Sequence, residues 1–169
     1  NAVISNTADG RNSQSRGLAI LAGHRNVITN SRAFDNTFIG IYLDVAAALN
    51  RIHGNSANSN TTYGIRLDGV DVDGNLVVSN IVDGKNRQSY GIFLGEGDLN
   101  RITNNRVIGH SQHGIWINAS AASNVVAPVA NSREGGWCDC SDNAARNLTL
   151  NTTVAVNGHV TYDVVPSGS

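Results

Sequence analysis

The sequence has little of what marks a nucleic-acid-binding or membrane-spanning chain. Its 169 residues include one lysine, no methionine and two prolines. The 12 basic residues are balanced by 13 acidic ones, for a formal net charge of -1, so the strongly basic surface of a nucleic-acid-binding protein is absent. No segment approaches the roughly 20 apolar residues needed to span a bilayer. We therefore expect neither nucleic acid nor a membrane as a partner.

Cysteine is also scarce, with Cys138 and Cys140 two positions apart. A bridge this local would close almost no loop and would strain the backbone, so a disulfide framework is excluded. A C-x-C pair without a second pair of ligands is a weak metal signal. We interpret the pair as free thiols and predict no metal site there.

Glycine and asparagine are abundant instead, with 18 glycines and 23 asparagines. This mixture disfavours long helices and favours short strands joined by turns. Apolar residues make up 40% of the chain and charged residues 15%, which excludes a highly charged disordered chain. The length suits one domain of ordinary size.

An internal repeat runs through most of the chain. Segments of the form G-[IL]-x-[IL] follow one another at intervals of 23, 24, 27 and 23 residues, beginning at Gly17, Gly40, Gly64, Gly91 and Gly114. A second series, N-x-[IV]-x-x-N, alternates with the first and begins at Asn1, Asn50, Asn75 and Asn100, with a near copy at Asn26. A unit of about 24 residues cannot bury its own apolar face, so the copies must stack with their strands parallel.

Two-residue alternation assigns the side chains of each copy to faces. Apolar pairs such as Ile41 and Leu43 are predicted to point inward. A third inward position is occupied by Ala8, Ala33, Ala57, Val82 and Val107. Each asparagine column, at the same corner of every coil, is expected to pass amide hydrogen bonds from coil to coil, and asparagine also tolerates left-handed turn geometry. The glycines are expected to relieve a similar corner.

These motifs resemble a known repeat. The alternation of N-x-[IV]-x-x-N with G-I-x-L over residues 1 to 130 is similar to the parallel β-helix of pectate-lyase-like, NosD-like and alginate-epimerase-like proteins and of many phage tailspikes. The resemblance implies an all-β fold: a right-handed single-stranded parallel β-helix of five to six coils. It is specific for fold and not for activity, because β-helices host many activities.

The repeat is lost after Asn131. We predict one domain boundary here, with repeats over 1–130 and a loop plus β cap over 131–169. Residues 131–146 are expected to form a loop anchored by Trp137, and residues 147–165 regain alternation, with a hairpin turn at Asn157 and Gly158. The first residues already match the repeat, so we expect further coils of a larger parent chain, or a second copy in a homo-oligomer, at that end.

An aromatic column is the first candidate for function. The outward positions beside the inward isoleucines are Tyr42, Arg66, Phe93 and Trp116, which stacking would align as a row of exposed rings about 4.8 Å apart. Pyranose C-H faces stack on such rings, so we predict carbohydrate binding by these four residues and by His113. Subunit packing is the equal alternative for the same column. Tyr63 and Tyr90, which precede their glycines, are expected to be partly buried.

Acidic residues follow the same strand and form a second candidate. The cluster comprises Asp68, Asp71, Asp73, Glu96 and Asp98. Such a cluster could bind Ca²⁺ or supply a general acid, although D-V-D-G-N at 71–75 lacks the full ligand series of a calcium loop. Solvated turn acids are the simpler interpretation for each residue alone, and otherwise no cofactor is expected.

The resulting functional hypothesis is an extracellular, secreted or particle-surface module that recognises a polysaccharide. It leaves open whether the module is part of a polysaccharide lyase or hydrolase. The resemblance to lyases implies, for that case, that Arg66 would neutralise or deprotonate a uronate while Asp68 and Glu96 hold a cation or donate a proton. The alternative is a structural module without catalysis, in which the aromatic column packs against another subunit.

Overall fold

The structure, a computed structural model, describes residues 1–118, 121 and 123–126 and the backbone of residues 139–140 and 149–150. These residues form eighteen short strands, numbered in chain order, which wind into a β-solenoid of about 5 turns. All pairings between strands are parallel, as the repeat predicts. No helix long and apolar enough to cross a membrane occurs among these residues.

Three parallel sheets form the walls of the solenoid. Sheet A contains β1 (Ala2–Ile4), β4 (Val27–Thr29), β7 (Arg51–His53), β10 (Leu76–Val78), β13 (Arg101–Thr103), β16 (Val125–Val126) and β18 (Thr149–Leu150). Sheet B contains β2 (Thr7–Asp9), β5 (Arg32–Phe34), β8 (Ser56–Asn58), β11 (Ile81–Asp83) and β14 (Arg106–Ile108). Sheet C contains β3 (Arg16–Leu21), β6 (Ile39–Asp44), β9 (Tyr63–Asp68), β12 (Tyr90–Leu94), β15 (His113–Ile117) and β17 (Asp139–Cys140).

The interior is filled by the predicted apolar columns. Ile41 pairs in register with Ile65, and Ile65 with Ile92. All three are fully buried, as are the third-position residues Ala33 and Val82. Each coil alone would expose these side chains, and burying one isoleucine or leucine contributes roughly 1.5–3 kcal/mol. Stacking therefore supplies the core that a single coil lacks.

The glycine before each apolar pair also faces the interior. A Cβ on Gly64 would collide with Cγ1 of Val82 and lie 2.6 Å from Nε2 of Gln88 and 2.8 Å from the carbonyl oxygen of Gly91. Glycine is needed here for close packing, since Gly64 is not among the residues with positive φ. Because Gly64 and Ile65 both face inward, strict alternation is broken, and Tyr63 faces outward together with Arg66.

Buried asparagines form ladders at the corners, as predicted. One ladder runs through Asn50, Asn75 and Asn100, with Nδ2 of each residue donating to Oδ1 of the next at 3.0–3.1 Å. A second ladder joins Asn55, Asn80 and Asn105 in the same way. The backbone N–H groups donate to the same oxygens, so each rung ties two coils together with several buried hydrogen bonds.

A third ladder was not predicted, because its residue types vary. It occupies the corner between sheets B and C and comprises Asn36, Asn60, Gln88 and His110. The four side chains are all buried. Glutamine and histidine offer the same pairing of an acceptor with an N–H donor as asparagine does, which is why they fit the position.

The left-handed conformation falls on the residue before each ladder asparagine and not on the asparagine itself. Positive φ occurs one residue earlier, at Leu49 (58°) before Asn50, Ser79 (55°) before Asn80 and Leu99 (57°) before Asn100. This preceding residue turns the chain. The asparagine that follows keeps its backbone N–H available for the next rung.

Parallel pairing continues beyond residue 130. β17 pairs with β15 through Trp116 with Asp139 and Ile117 with Cys140, and β18 pairs with β16. The segment predicted as a loop over 131–146 thus contains one short strand. The predicted anchor Trp137, the hairpin turn and the remainder of the cap lie outside the described residues.

Candidate functional site

The outer face of sheet C aligns the predicted aromatic column. Tyr42 pairs with Arg66, Arg66 with Phe93, and Phe93 with Trp116, each on an adjacent strand. The predicted register is confirmed over all four residues. A second outward column runs beside the first because the inward glycines break the alternation, and it contains Arg16, Ile39, Tyr63, Tyr90 and His113.

The prediction of a row of exposed rings is wrong for two of these residues. Tyr42 and Phe93 are each only 6% exposed. Neither belongs to the interior core; they are buried on the outside of the solenoid by neighbouring side chains. Tyr63 lies against Phe93 with ring centroids 5.1 Å apart. The face therefore has its own apolar layer, with a second layer of rings above it.

Arg66 is enclosed by aromatic rings. Its guanidinium carbon lies 5.0 Å from the ring centre of Tyr63, 5.4 Å from that of Phe93, 5.6 Å from that of Tyr42 and 5.8 Å from that of Phe38. These are cation–π distances. Nη2 also donates to Oδ2 of Asp68 in an ion pair that leaves the arginine side chain 21% exposed.

The Arg66 side chain is thus held from two directions. Nε is buried and has no hydrogen-bond partner among the described residues. Asp68 is similarly covered, with its side chain 24% exposed. The structure brings these two predicted catalytic residues together, whereas Glu96 lies exposed in the loop after β12.

The half-exposed rings form a continuous stack over this layer. Tyr63 and Tyr90 are stacked at 5.2 Å, and Tyr90 stacks on His113 at 5.8 Å. Trp116 contacts Tyr90 at 4.9 Å and Phe93 edge-on at 5.1 Å. The partial burial expected for Tyr63 and Tyr90 is confirmed. The recurrence of an aromatic residue directly before glycine was the sequence signal for this column.

Two tyrosines of the face, Tyr42 and Tyr63, remain neutral around neutral pH. Burial, reinforced by a hydrogen bond and charge repulsion from Asp44, raises the pKa of Tyr42 to about 12. Burial also raises the pKa of Tyr63, while the charge of Arg66 opposes this shift. Both side chains therefore present an uncharged ring and a hydroxyl. The Tyr90 hydroxyl donates to Oε1 of Gln112 at the rim of the stack.

Two acidic side chains at the ends of these strands or in the loops after them accept backbone N–H groups. Oδ1 of Asp73 accepts the backbone N–H of Asp98 at 2.6 Å, and Oδ1 of Asp44 accepts that of Val45 at 2.9 Å. Within the described ranges, no three His, Cys, Asp or Glu residues are grouped so that they could hold a metal ion. The side chains of Cys138 and Cys140 lie outside those ranges.

Comparison with known proteins agrees with this fold. The family model described as "Periplasmic copper-binding protein (NosD)" matches residues 1–163. The chain belongs to the NosD family. No curated protein and no solved structure gives a significant match. The NosD match confirms the resemblance drawn from the repeats, and the periplasmic location in the family description agrees with a place outside the cytoplasm at a coarse level.

Proposed function

We propose that this NosD-family chain is an extracytoplasmic β-helix module that binds a polysaccharide on the outer face of sheet C. The supporting observation is the half-exposed stack of Tyr63, Tyr90 and His113 with Trp116 beside it. In this proposal the stack and Trp116 contact the sugar. Tyr42, Arg66 and Phe93, which the sequence also nominated, support these rings from below.

The chemistry of the stack suits sugar rings. Aromatic side chains offer apolar faces and edges to pyranose C-H groups, and polar atoms at their rim can pair with hydroxyls. Here the rim carries the Tyr90 hydroxyl, the Gln112 side chain and the imidazole of His113. The rings repeat from coil to coil along the solenoid axis, so an extended sugar chain parallel to that axis would meet successive rings.

The arrangement supports binding more than catalysis. An arginine guanidinium remains protonated in proteins. A protonated guanidinium cannot act as the base of a lyase. We therefore place Arg66 and Asp68 in support of the ring layer, while catalysis by Arg66, Asp68 and Glu96 stays a prediction that product analysis would test.

Copper binding, which the family description names, is not proposed for the described residues. His110 uses both ring nitrogens within the third ladder, and Nδ1 of His53 lies 3.3 Å from the carbonyl oxygen of Val78. Copper sites need several imidazole or sulfur ligands converging on one point. The described part of the chain offers no such group.

The decisive experiment replaces Trp116 and Tyr90 by alanine and measures binding to a panel of neutral and acidic glycans. Loss of one aromatic contact should weaken binding about tenfold. The matched control is Phe34→Ala, because Phe34 is a half-buried ring on sheet B that stacks with Arg32. Unchanged glycan binding in the Trp116 and Tyr90 variants contradicts the proposal.

The same variants test the rival function. If the outer face of sheet C packs against another subunit, Trp116→Ala should dissociate an oligomer without any effect on glycan binding. Sedimentation of the wild type and both variants would show this. Analysis of the glycans for newly formed ends in the same samples would show whether the module is also catalytic.

A further inference from the structure

Exposed apolar side chains concentrate at the corner where the chain passes from sheet C to sheet A. Of the seven large apolar side chains that are exposed among the described residues, five lie here, at or after the ends of β3, β6, β9 and β12. They are Leu21, Val45, Leu49, Val70 and Leu99, each between 54% and 68% exposed. We call these five residues the apolar corner.

The loops of the apolar corner are bonded to one another from coil to coil. The backbone N–H of Ala46 donates to the carbonyl oxygen of Val70 at 2.8 Å, so Val45 and Val70 lie on adjacent coils. Leu49 covers Gly74 of the next coil, with its Cδ2 atom 2.9 Å from the place that a Cβ on Gly74 would take. The apolar surface therefore extends along the solenoid axis.

Folding does not account for the two leucines. Leu49 and Leu99 have φ of 58° and 57°, in the left-handed region where a side chain strains the backbone. Gly74 takes the equivalent position in the coil between them, with φ of 61°. An exposed leucine gains no burial in the core and is unfavourable in water. A contiguous patch of exposed apolar side chains marks a contact surface.

The two flanks of the apolar corner carry opposite charges. Asp44, the last residue of β6, and Glu96, which follows β12, lie on the flank toward sheet C. Arg51 and Arg101, the first residues of β7 and β13, lie on the flank toward sheet A. Across the loops after β6 and β12, the charge therefore changes from negative at the sheet C flank to positive at the sheet A flank.

The other charged residues of these loops leave this polarity in place. Asp71, Asp73 and Asp98 lie within the loops, and Oδ1 of Asp73 accepts the backbone N–H of Asp98 at 2.6 Å. His24 and Arg25 lie shortly before β4 and add positive charge near sheet A. Basic residues of the loops from sheet C to sheet A thus lie toward the sheet A flank.

We infer that the apolar corner binds the apolar corner of a second copy, in a dimer whose two-fold axis runs parallel to the solenoid axis. Rotation about this axis keeps each coil level with its counterpart and reverses the direction of the loops. The negative flank of each copy then faces the positive flank of the other. Asp44 comes opposite Arg51 of the second copy, and Glu96 comes opposite Arg101. This inference is independent of the proposed site on sheet C.

Other occupants fit the apolar corner less well. A two-fold axis across the solenoid would place the two negative flanks against each other, which is unfavourable. A bilayer with anionic headgroups would meet the carboxylates of Asp44, Asp71 and Glu96 as it approached the corner. A second copy in the parallel arrangement instead gives each acidic flank a basic partner.

The size of the apolar corner predicts a weak dimer. Five apolar side chains and their charged neighbours are fewer than the roughly 20–30 residues that each partner contributes to a stable complex. We therefore expect a Kd of about 100 µM. Such an association is visible only when the protein is concentrated.

The test is sedimentation of the chain at about 5 to 500 µM, where the mean mass of the wild type should rise toward that of a dimer. The variant L49N/L99N should raise the Kd at least about tenfold. Because asparagine tolerates the left-handed conformation, the thermal unfolding midpoint of this variant should be unchanged or higher. The control variant Ile81→Thr removes an exposed apolar side chain from sheet B and should associate like the wild type.

Charge reversal tests the parallel arrangement. The variant R101E places a carboxylate opposite Glu96 of the second copy and should raise the Kd about tenfold. The double variant E96R/R101E reverses both charges and should restore the association. A different partner protein would not recover in this way, because its own charges would be unchanged.

The inference is overturned if the wild type stays monomeric at about 500 µM, if L49N/L99N associates like the wild type, or if E96R/R101E associates no better than R101E. It is also overturned if Trp116→Ala dissociates the dimer, since the interface would then be the outer face of sheet C. Phosphatidylcholine vesicles bound by a monomeric wild type and not by L49N/L99N would assign the corner to lipid instead. Glycan binding by L49N/L99N should equal that of the wild type.

Discussion

Nδ1 of His110 lies 3.4 Å from Nε2 of Gln88, and Nε2 of the same imidazole lies 3.3 Å from the carbonyl oxygen of Val82. Oε1 of Gln88 already accepts from Asn60, so its Nε2 must be the donor toward His110. His110 is therefore neutral, with its proton on Nε2. It reproduces the asparagine rung, in which Nδ2 of Asn105 donates to the carbonyl oxygen of Val77.

Acid should destabilise the fold through this rung. Burial lowers the pKa of His110 from 6.5 to about 4, against weaker opposing effects of backbone hydrogen bonds and Asp83. The unfolded chain binds this proton first as the pH falls. The contribution of neutral His110 to the free energy of unfolding is therefore complete above pH 6.5. About 3 kcal/mol of this free energy is lost as the pH falls from 6.5 to 4.

Urea unfolding measured across this pH range would check the expectation. His110→Asn should reduce the slope of the free energy of unfolding against pH, since asparagine supplies the same acceptor and donor without titrating. His24→Asn serves as the control because His24 is exposed, and it should leave the slope unchanged. A slope that persists in His110→Asn would assign the pH dependence to other groups.

A second prediction concerns the ladder at Asn80. Its Oδ1 accepts from the backbone N–H and the Nδ2 of Asn55, and its Nδ2 donates to Ile52 and to Asn105. Asn80→Ala would leave these buried groups without partners and should lower the free energy of unfolding by more than about 3 kcal/mol. Asn6→Ala, at the exposed start of the same ladder, should cost less than about 1 kcal/mol. Similar losses for both variants in denaturant unfolding would contradict the ladder.

Gly64 provides a third prediction. Gly64→Ala places a Cβ against Val82 and the carbonyl oxygen of Gly91, so it should destabilise the fold by about 3 kcal/mol. Adding Val82→Ala removes the collision with Cγ1 and should restore part of the loss, because Ala33 and Ala57 occupy the equivalent position in other coils. Thermal unfolding of both single variants and the double variant measures this coupling. Strictly additive effects would show that the two side chains do not meet.

Replacing Arg66 tests how much its contacts with the aromatic rings and with Asp68 contribute to the free energy of unfolding. Arg66→Ala removes the cation–π contacts and leaves the carboxylate of Asp68 unpaired in a partly buried place, so we expect a loss of about 2 kcal/mol. The additional change Asp68→Asn should recover part of it. Arg87→Ala is the comparison, because its pair with Asp35 is more exposed and longer at 3.9 Å, and it should cost under about 1 kcal/mol. Equal losses in both alanine variants would rule out a special role for the rings.

The repeat made most of the fold predictable. Apolar pairs such as Ile65 and Leu67 recur with a fixed interval, and a parallel solenoid is the arrangement that buries all of them. The third ladder escaped prediction because Gln88 and His110 share hydrogen-bonding groups with Asn60 but not residue type. The prediction that Tyr42 and Phe93 are exposed was wrong. The inward glycines break the two-residue period and place Tyr63 on the same face, where its ring packs against Phe93.

The sequence by itself determined the parallel β-helix, its coil register, the inward columns and two of the asparagine ladders, because each follows from residue types repeated at a constant interval. The tertiary structure decided which outward rings are covered and that Arg66 is paired with Asp68 and enclosed by rings. These properties depend on contacts between neighbouring columns and sheets. Such contacts depend on the cross-sectional shape of the coil, which the repeat interval in the sequence does not specify.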